Sequence, residues 1–131
     1  MTGKIYLGWK DVDDLVNKLC QQIKDNSFQY IHGLQRGGLI PAVMMSHKLN
    51  IPYTSRPHLY GNKCLIVDDI CDSGETLQKW KGYYTAVLHY KSHTSCFHPD
   101  IYSERTTSDN WIVYPWEAEN SKTIQDYKLD K

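Results

Sequence analysis

The run Cys64-Leu65-Ile66-Val67-Asp68-Asp69-Ile70-Cys71-Asp72-Ser73-Gly74-Glu75-Thr76 constrains the fold of this chain more than any other segment. Cys64 to Val67 is short, apolar and rich in branched residues, the pattern of a buried strand. Two adjacent carboxylates close it, and a loop carrying Asp72, Ser73, Gly74 and Thr76 leads on into a helical segment. At the C-terminal end of a parallel strand, ligands bind in the crevice between strand and helix. Loop N–H groups and the helix N-terminus can hold a phosphate there. Carboxylates beside a phosphate are electrostatically mismatched unless Mg²⁺ or sugar hydroxyls stand between them. The segment therefore suits a ligand with a phosphate, a diol and a metal, and a phosphorylated ribose meets all three demands.

The rest of the chain repeats the alternation of strand and helix, which predicts an α/β fold with a mainly parallel central sheet. Val12, Leu15, Val16, Leu19 and Ile23 recur at helical spacing, so a helix is expected from Val12 to about Lys24, with Asp11 as its N-cap. Phe28 to His32 reads as a strand and Gly33 to Gly38 as a loop, and the next helix, with Pro41 in its first turn, runs to about Leu49. A turn over Tyr60–Lys63 precedes the central strand, Thr85 to Tyr90 forms a further strand, and Trp111 to Tyr114 the last. At 131 residues the chain has room for a single core, so one domain over 1–131 is expected.

Fifteen basic and fifteen acidic residues argue against a surface that coats a polyanion, so nucleic acid is not an expected partner. No apolar run approaches a membrane span and no signal-peptide pattern opens the chain, so a cytoplasmic protein is expected. The four cysteines, Cys20, Cys64, Cys71 and Cys96, have no framework spacing and read as thiols in a reducing compartment.

A second loop, Leu34-Gln35-Arg36-Gly37-Gly38-Leu39-Ile40-Pro41, also ends a strand and opens a helix. Its glycines let backbone approach an anion, and Arg36 offers a planar, permanently charged fork for phosphate oxygens. Together, the two loops resemble those of the type I phosphoribosyltransferases. The first looks like that family's loop for phosphoribosyl pyrophosphate (PRPP), the second like its pyrophosphate loop, where the peptide before the basic residue, here Gln35-Arg36, is often cis. The resemblance implies that Asp72, Ser73, Gly74, Glu75 and Thr76 hold the 5-phosphate. Asp68 and Asp69 would take the ribose hydroxyls directly or through Mg²⁺. Gln35, Arg36, Gly37 and Gly38 would meet the pyrophosphate.

A third constellation comprises Leu88-His89-Tyr90-Lys91, then Pro99-Asp100-Ile101-Tyr102, then Trp111-Ile112-Val113-Tyr114-Pro115-Trp116-Glu117. This succession resembles the xanthine/hypoxanthine-guanine branch of the family, with a small C-terminal hood over the base. By that likeness Lys91 reads the 6-oxo oxygen of a purine, Trp111 stacks on the ring and Ile112 offers backbone to its edge. Glu117 would reach Mg²⁺ on pyrophosphate, and Asp72 would accept the purine's N7 proton. An ammonium carries donors only, so it favours an oxo over an amino group at C6.

The expected activity is transfer of 5-phosphoribose from PRPP to N9 of guanine, hypoxanthine or xanthine, with Mg²⁺ as cofactor and a homodimer or homotetramer as the assembly. Two other readings stay open: a PRPP or nucleotide sensor with little catalysis, and a transferase for a pyrimidine or nicotinamide-like base. The chain departs from the family in two places. Tyr53 to Asn62 is short where relatives carry a mobile lid, and Asp69 to Tyr84 barely supplies the dozen residues of a parallel crossover. His89, His93, Cys96 and His98 lie close in sequence, but their spacing matches no usual zinc arrangement.

Overall fold

The structure is a computed structural model and describes residues 3–23 and 28–117. Its elements run β1 (Lys4–Tyr6), α1 (Trp9–Ile23), β2 (Tyr30–Gly33), α2 (Leu39–Leu49), β3 (Cys64–Cys71), α3 (Glu75–Gln78), β4 (Tyr84–Lys91), β5 (Ile101–Thr106) and β6 (Trp111–Val113). Four strands form a wholly parallel sheet in the order β2-β3-β4-β5, and β1 pairs in parallel with β6 in a separate ribbon. This is the expected α/β architecture.

The central strand explains the layering. Along β3, Leu65 and Val67 enter the cluster that buries Val12, Val16, Leu19, Ala42 and Met45 of α1 and α2. Cys64 and Ile66 point the other way, into a cluster with Leu77, Val87 and Tyr90, against which Tyr30, Tyr60, Trp80 and Tyr83 pack. A strand covered on both faces carries apolar residues on both, which is why Cys64 to Val67 reads as an unbroken apolar run. The stripe on α1 is buried in full, each side chain contributing roughly 1.5–3 kcal/mol relative to an exposed one.

Several boundaries differ from expectation. α1 starts at Trp9, so Asp11 lies inside its first turn rather than at the N-cap. There its Oδ2 accepts the N–H of Gly8 at 2.8 Å, the returning half of a capping box. The expected end near Lys24 falls outside the described residues. β2 covers Tyr30–Gly33 rather than 28–32, and β6 stops at Val113.

β3 is longer than its apolar run and continues through Asp68, Asp69 and Ile70 to Cys71. β4 keeps pace with it, pairing Asp68 with Val87, Ile70 with His89 and Cys71 with Tyr90. β1 and β5 were not expected, since β1 is three exposed residues and β5 alternates little while carrying Ser103, Glu104 and Arg105. The short crossover is as expected: α3 has a single turn, and Gly82 at φ 99° leads the chain into β4.

Residues 52–63 are tied down along the sheet. Ile31 donates to Pro52 and Thr54 donates back to Ile31 at 3.0 and 2.9 Å. His58 stacks on Trp80, and Tyr30 on Tyr60. Among the described residues no helix is long and apolar enough to cross a membrane.

Candidate active site

The two loops singled out in the sequence interlock. The backbone of Gly37 rests on the carboxylate of Asp69, so a Cβ there would overlap that side chain. Gly38 lies against the carbonyl of Val67 in the same way. These glycines therefore make room for the protein's own acid and strand. Gln35 and Arg36 sit exposed at the tip, and the peptide between them is cis, as the family likeness implies.

On the other side of β3, Gly74 has φ 84°, a left-handed conformation that glycine adopts without cost. Its α-carbon faces Ser95 and the N–H of Phe97, so the space at Gly74 belongs to the segment after β4. The carbonyl of Ser73 accepts the N–H of Cys96 at 2.8 Å, and Ser73 Oγ accepts the N–H of Glu75 at 3.3 Å. Thr76 and Glu75 stand in α3, whose one turn carries little dipole, so the donors this loop could offer an anion are its backbone N–H groups.

Lys91 closes β4 and is 5% exposed. Its Nζ donates to the carbonyl of Asn110 at 2.9 Å and lies 4.0 Å from Oδ2 of Asp72. Asn110 immediately precedes Trp111, whose ring is 40% exposed. The fold thus gathers Asp72, Lys91 and Trp111 from three separate segments. Ile112 turns its side chain toward the main core. Thr94 Oγ1 stands 2.9 Å from Oδ1 of Asp72 and 3.0 Å from its carbonyl. Thr94 and Asn110 were not anticipated. The polar run Ser92-His93-Thr94-Ser95 directly after Lys91 was the available signal.

Burial dominates the electrostatics of Asp69. It pushes the carboxyl up to about 6; the nearby Glu117 charge pushes the same way, and hydrogen bonds from the Asp68 side and the Ile70 N–H oppose it. Glu117 bends back so that Oε1 accepts the N–H of Tyr114 at 2.8 Å. Burial likewise pushes the Cys71 and Cys64 thiols up to about 11, so the thiol inside the acid loop stays protonated near neutrality.

The four residues of the histidine and cysteine cluster do not converge. His89 bonds Tyr114, His93 bonds Asp109, Cys96 faces Gln78 and His98 packs on Tyr90. Among the described residues no three His, Cys, Asp or Glu side chains are grouped to hold a metal ion. Asp68, Asp69 and Glu117 therefore form no ready-made cage among the described residues.

No family model matches the chain. The xanthine-guanine phosphoribosyltransferase of Vibrio vulnificus is 25% identical over 143 residues, covering 89% of this chain and 91% of the relative. That of Chromohalobacter salexigens is 26% identical, covering 85% and 82%. Among solved structures, the xanthine-guanine-hypoxanthine phosphoribosyltransferase of Helicobacter pylori shares the fold, with a TM-score of 0.73 at 19% identity over 88% of this chain and 93% of that one. The purine phosphoribosyltransferase of Pyrococcus horikoshii aligns with a TM-score of 0.74 and 31% identity over 93% of this chain and 98% of that one. With that identity over nearly its whole length, the chain belongs to the type I phosphoribosyltransferases, a family of enzymes, and resembles their purine branch.

Proposed function

We propose that this protein transfers 5-phosphoribose from PRPP to N9 of a 6-oxopurine, guanine, hypoxanthine or xanthine. The bond from C1 to the pyrophosphate oxygen breaks, a C1–N9 bond forms with inversion, and the purine gives up a proton. The observation that carries this reading is the buried Lys91 ammonium, placed between the acid loop at Asp72 and the backbone that leads into Trp111. A base stacked on Trp111 would present its C6 side to a group with donors only, which suits oxo and not amino.

Bond breaking builds positive charge on the ribose ring before the base arrives, so catalysis rests on positioning and charge stabilisation. The loop Asp72–Thr76 would hold the 5-phosphate, and Asp68 and Asp69 the ribose hydroxyls. Arg36, with Gln35, Gly37 and Gly38, would receive the leaving pyrophosphate. Asp72, steadied by Thr94, would accept the N7 proton. Asp69 is costly to ionise where it sits, and hydroxyl donors or a divalent cation are the partners that relieve such a site. Asp68, Asp69 and Glu117 are the residues that would hold Mg²⁺, which when bound would supply positive charge to the leaving group. A homodimer or homotetramer is the assembly that the family likeness supports.

The test is pyrophosphate release from PRPP and Mg²⁺ with a panel of bases. Turnover is expected with one or more 6-oxopurines and none detectable with adenine, orotate or nicotinamide. Equal use of adenine and guanine would remove Lys91 from the base.

A further inference from the structure

Tyr114 and His89 are buried polar residues to which the reaction above assigns nothing. Tyr114 is 2% exposed, and its ring stacks flat on Trp116 at 4.8 Å. Its hydroxyl lies 3.1 Å from the carbonyl oxygen of Asp69 and 2.8 Å from Nδ1 of His89. A carbonyl can only accept, so the single hydroxyl proton points at Asp69 and His89 must donate from Nδ1. The direction of the chain is thereby fixed: His89 N–H to Tyr114 O–H to the Asp69 carbonyl. Glu104 faces the far side of the imidazole, 3.7 Å from Nε2. Linked donors polarise one another in a buried setting, so such a chain holds its geometry more firmly than isolated bonds.

The position of Tyr114 gives this chain its meaning. Tyr114 directly follows β6, the strand with Trp111 and Ile112, and its own N–H secures Glu117. Its hydroxyl reaches the peptide of Asp69, whose carboxylate lies on Gly37 of the pyrophosphate loop. One side chain therefore ties the base-side ribbon to the acid pair on β3. Resting on the reading under Proposed function, we infer that Tyr114, oriented by His89, is a positioning residue that fixes Asp69 for PRPP. It touches neither substrate and acts through the Asp69 backbone.

The test compares Tyr114→Phe, His89→Leu and His89→Asn with wild type, reading PRPP affinity by calorimetry with Mg²⁺, KM for guanine at saturating PRPP, and Tm. Tyr114→Phe keeps the ring and its stacking but removes the hydroxyl. It is expected to weaken PRPP binding about tenfold, the scale of one buried hydrogen bond, while KM for guanine moves less than about twofold because the hydroxyl acts on the ribose side. His89→Leu should lose a similar factor. His89→Asn keeps a donor near Nδ1 and should recover to within about threefold of wild type on the same hydrogen-bond scale.

The double variant Tyr114→Phe/His89→Leu should be no weaker than either single one, since both cut one chain. PRPP affinity unchanged in Tyr114→Phe, with or without a lower Tm, would overturn the inference. So would losses that multiply in the double variant. Wild type that binds no PRPP would instead overturn the proposed function, and with it this extension.

Discussion

At the residue scale, Lys91 and Asp69 carry opposite kinds of information. Lys91 follows an apolar strand in the sequence, where the family likeness implies a contact with the base, and it is buried with its ammonium on the Asn110 carbonyl and near Asp72. Lys91→Ala should weaken kcat/KM for the 6-oxopurine by about 1–3 kcal/mol, the range of a charge-assisted hydrogen bond. Trp111→Ala should cost a comparable factor through lost stacking without altering the preference of oxo over amino. Steady-state kinetics with guanine and adenine on both variants would check this. A Lys91→Ala enzyme with unchanged guanine kinetics would show that the base lies elsewhere.

Asp69 gives a pH dependence. Its folded pKa is raised from the ordinary 3.8 to about 6, so between these values the folded state binds more protons than the unfolded one. By linkage, this group makes the ligand-free protein more stable as pH falls through that window and less stable above it. The full swing is on the order of 2–3 kcal/mol. Asp69→Asn should therefore stabilise the ligand-free protein at pH 7.5, with the gain shrinking toward pH 4. Urea unfolding without Mg²⁺ at several pH values would measure it, and a variant less stable than wild type at pH 7.5 would refute the assignment. The acids at 68 and 69 were legible as a pair, but not the desolvation that raises the Asp69 carboxyl. Gly37, about thirty residues away in the chain, rests on that carboxylate, and no local pattern encodes the contact.

At the scale of elements, sequence patterns located what periodicity can see. The α1 stripe, the apolar centre of β3 and the cut-short α3 all follow from spacing and turn residues. The run of β3 past its apolar part did not, because strand pairing with β4 carries Asp68 to Cys71 against their local preference. β1 is three exposed residues with no period to detect, whereas β6 was legible as a strand from Trp111 and ends one residue earlier than expected.

Gly74 carries a backbone demand that its motif does not display. The family likeness implies a contact with the phosphate, and the structure also sets this residue against Ser95 and Phe97 at φ 84°. Gly74→Val should therefore lower Tm as well as PRPP affinity, by a strain of roughly 1–3 kcal/mol at a positive φ plus the displaced segment. Lost PRPP binding with an unchanged Tm would contradict the structural demand at this position. The segment 52–63 is held to β2 by backbone bonds and to Trp80 by the His58 ring.

For the whole molecule, the layering makes the site. Helices α1 and α2 bury one face of the sheet, while the other face packs against α3 and an aromatic group from Tyr30 to Tyr83. Both loops then emerge at the carboxyl ends of adjacent strands β2 and β3, with Lys91 at the end of β4 beside them. The β1–β6 ribbon brings Trp111 and Glu117 to that end, tied down through Tyr114. From sequence, the candidate residues read as three separate constellations. Their convergence, and the linking parts played by Thr94, Asn110, Tyr114 and His89, depend on long-range contacts that the sequence does not display.

The central claim is that this convergence performs phosphoribosyl transfer and does more than bind PRPP. Asp72→Asn keeps the shape of the side chain beside Thr94 and Lys91 while removing the charge and the proton acceptor. Pyrophosphate release with the preferred 6-oxopurine, measured alongside PRPP affinity for wild type and this variant, separates the two. Turnover should fall by roughly 10²-fold or more in Asp72→Asn with PRPP still bound. Pyrophosphate release absent from wild type with every 6-oxopurine, or equal in wild type and variant, would contradict it.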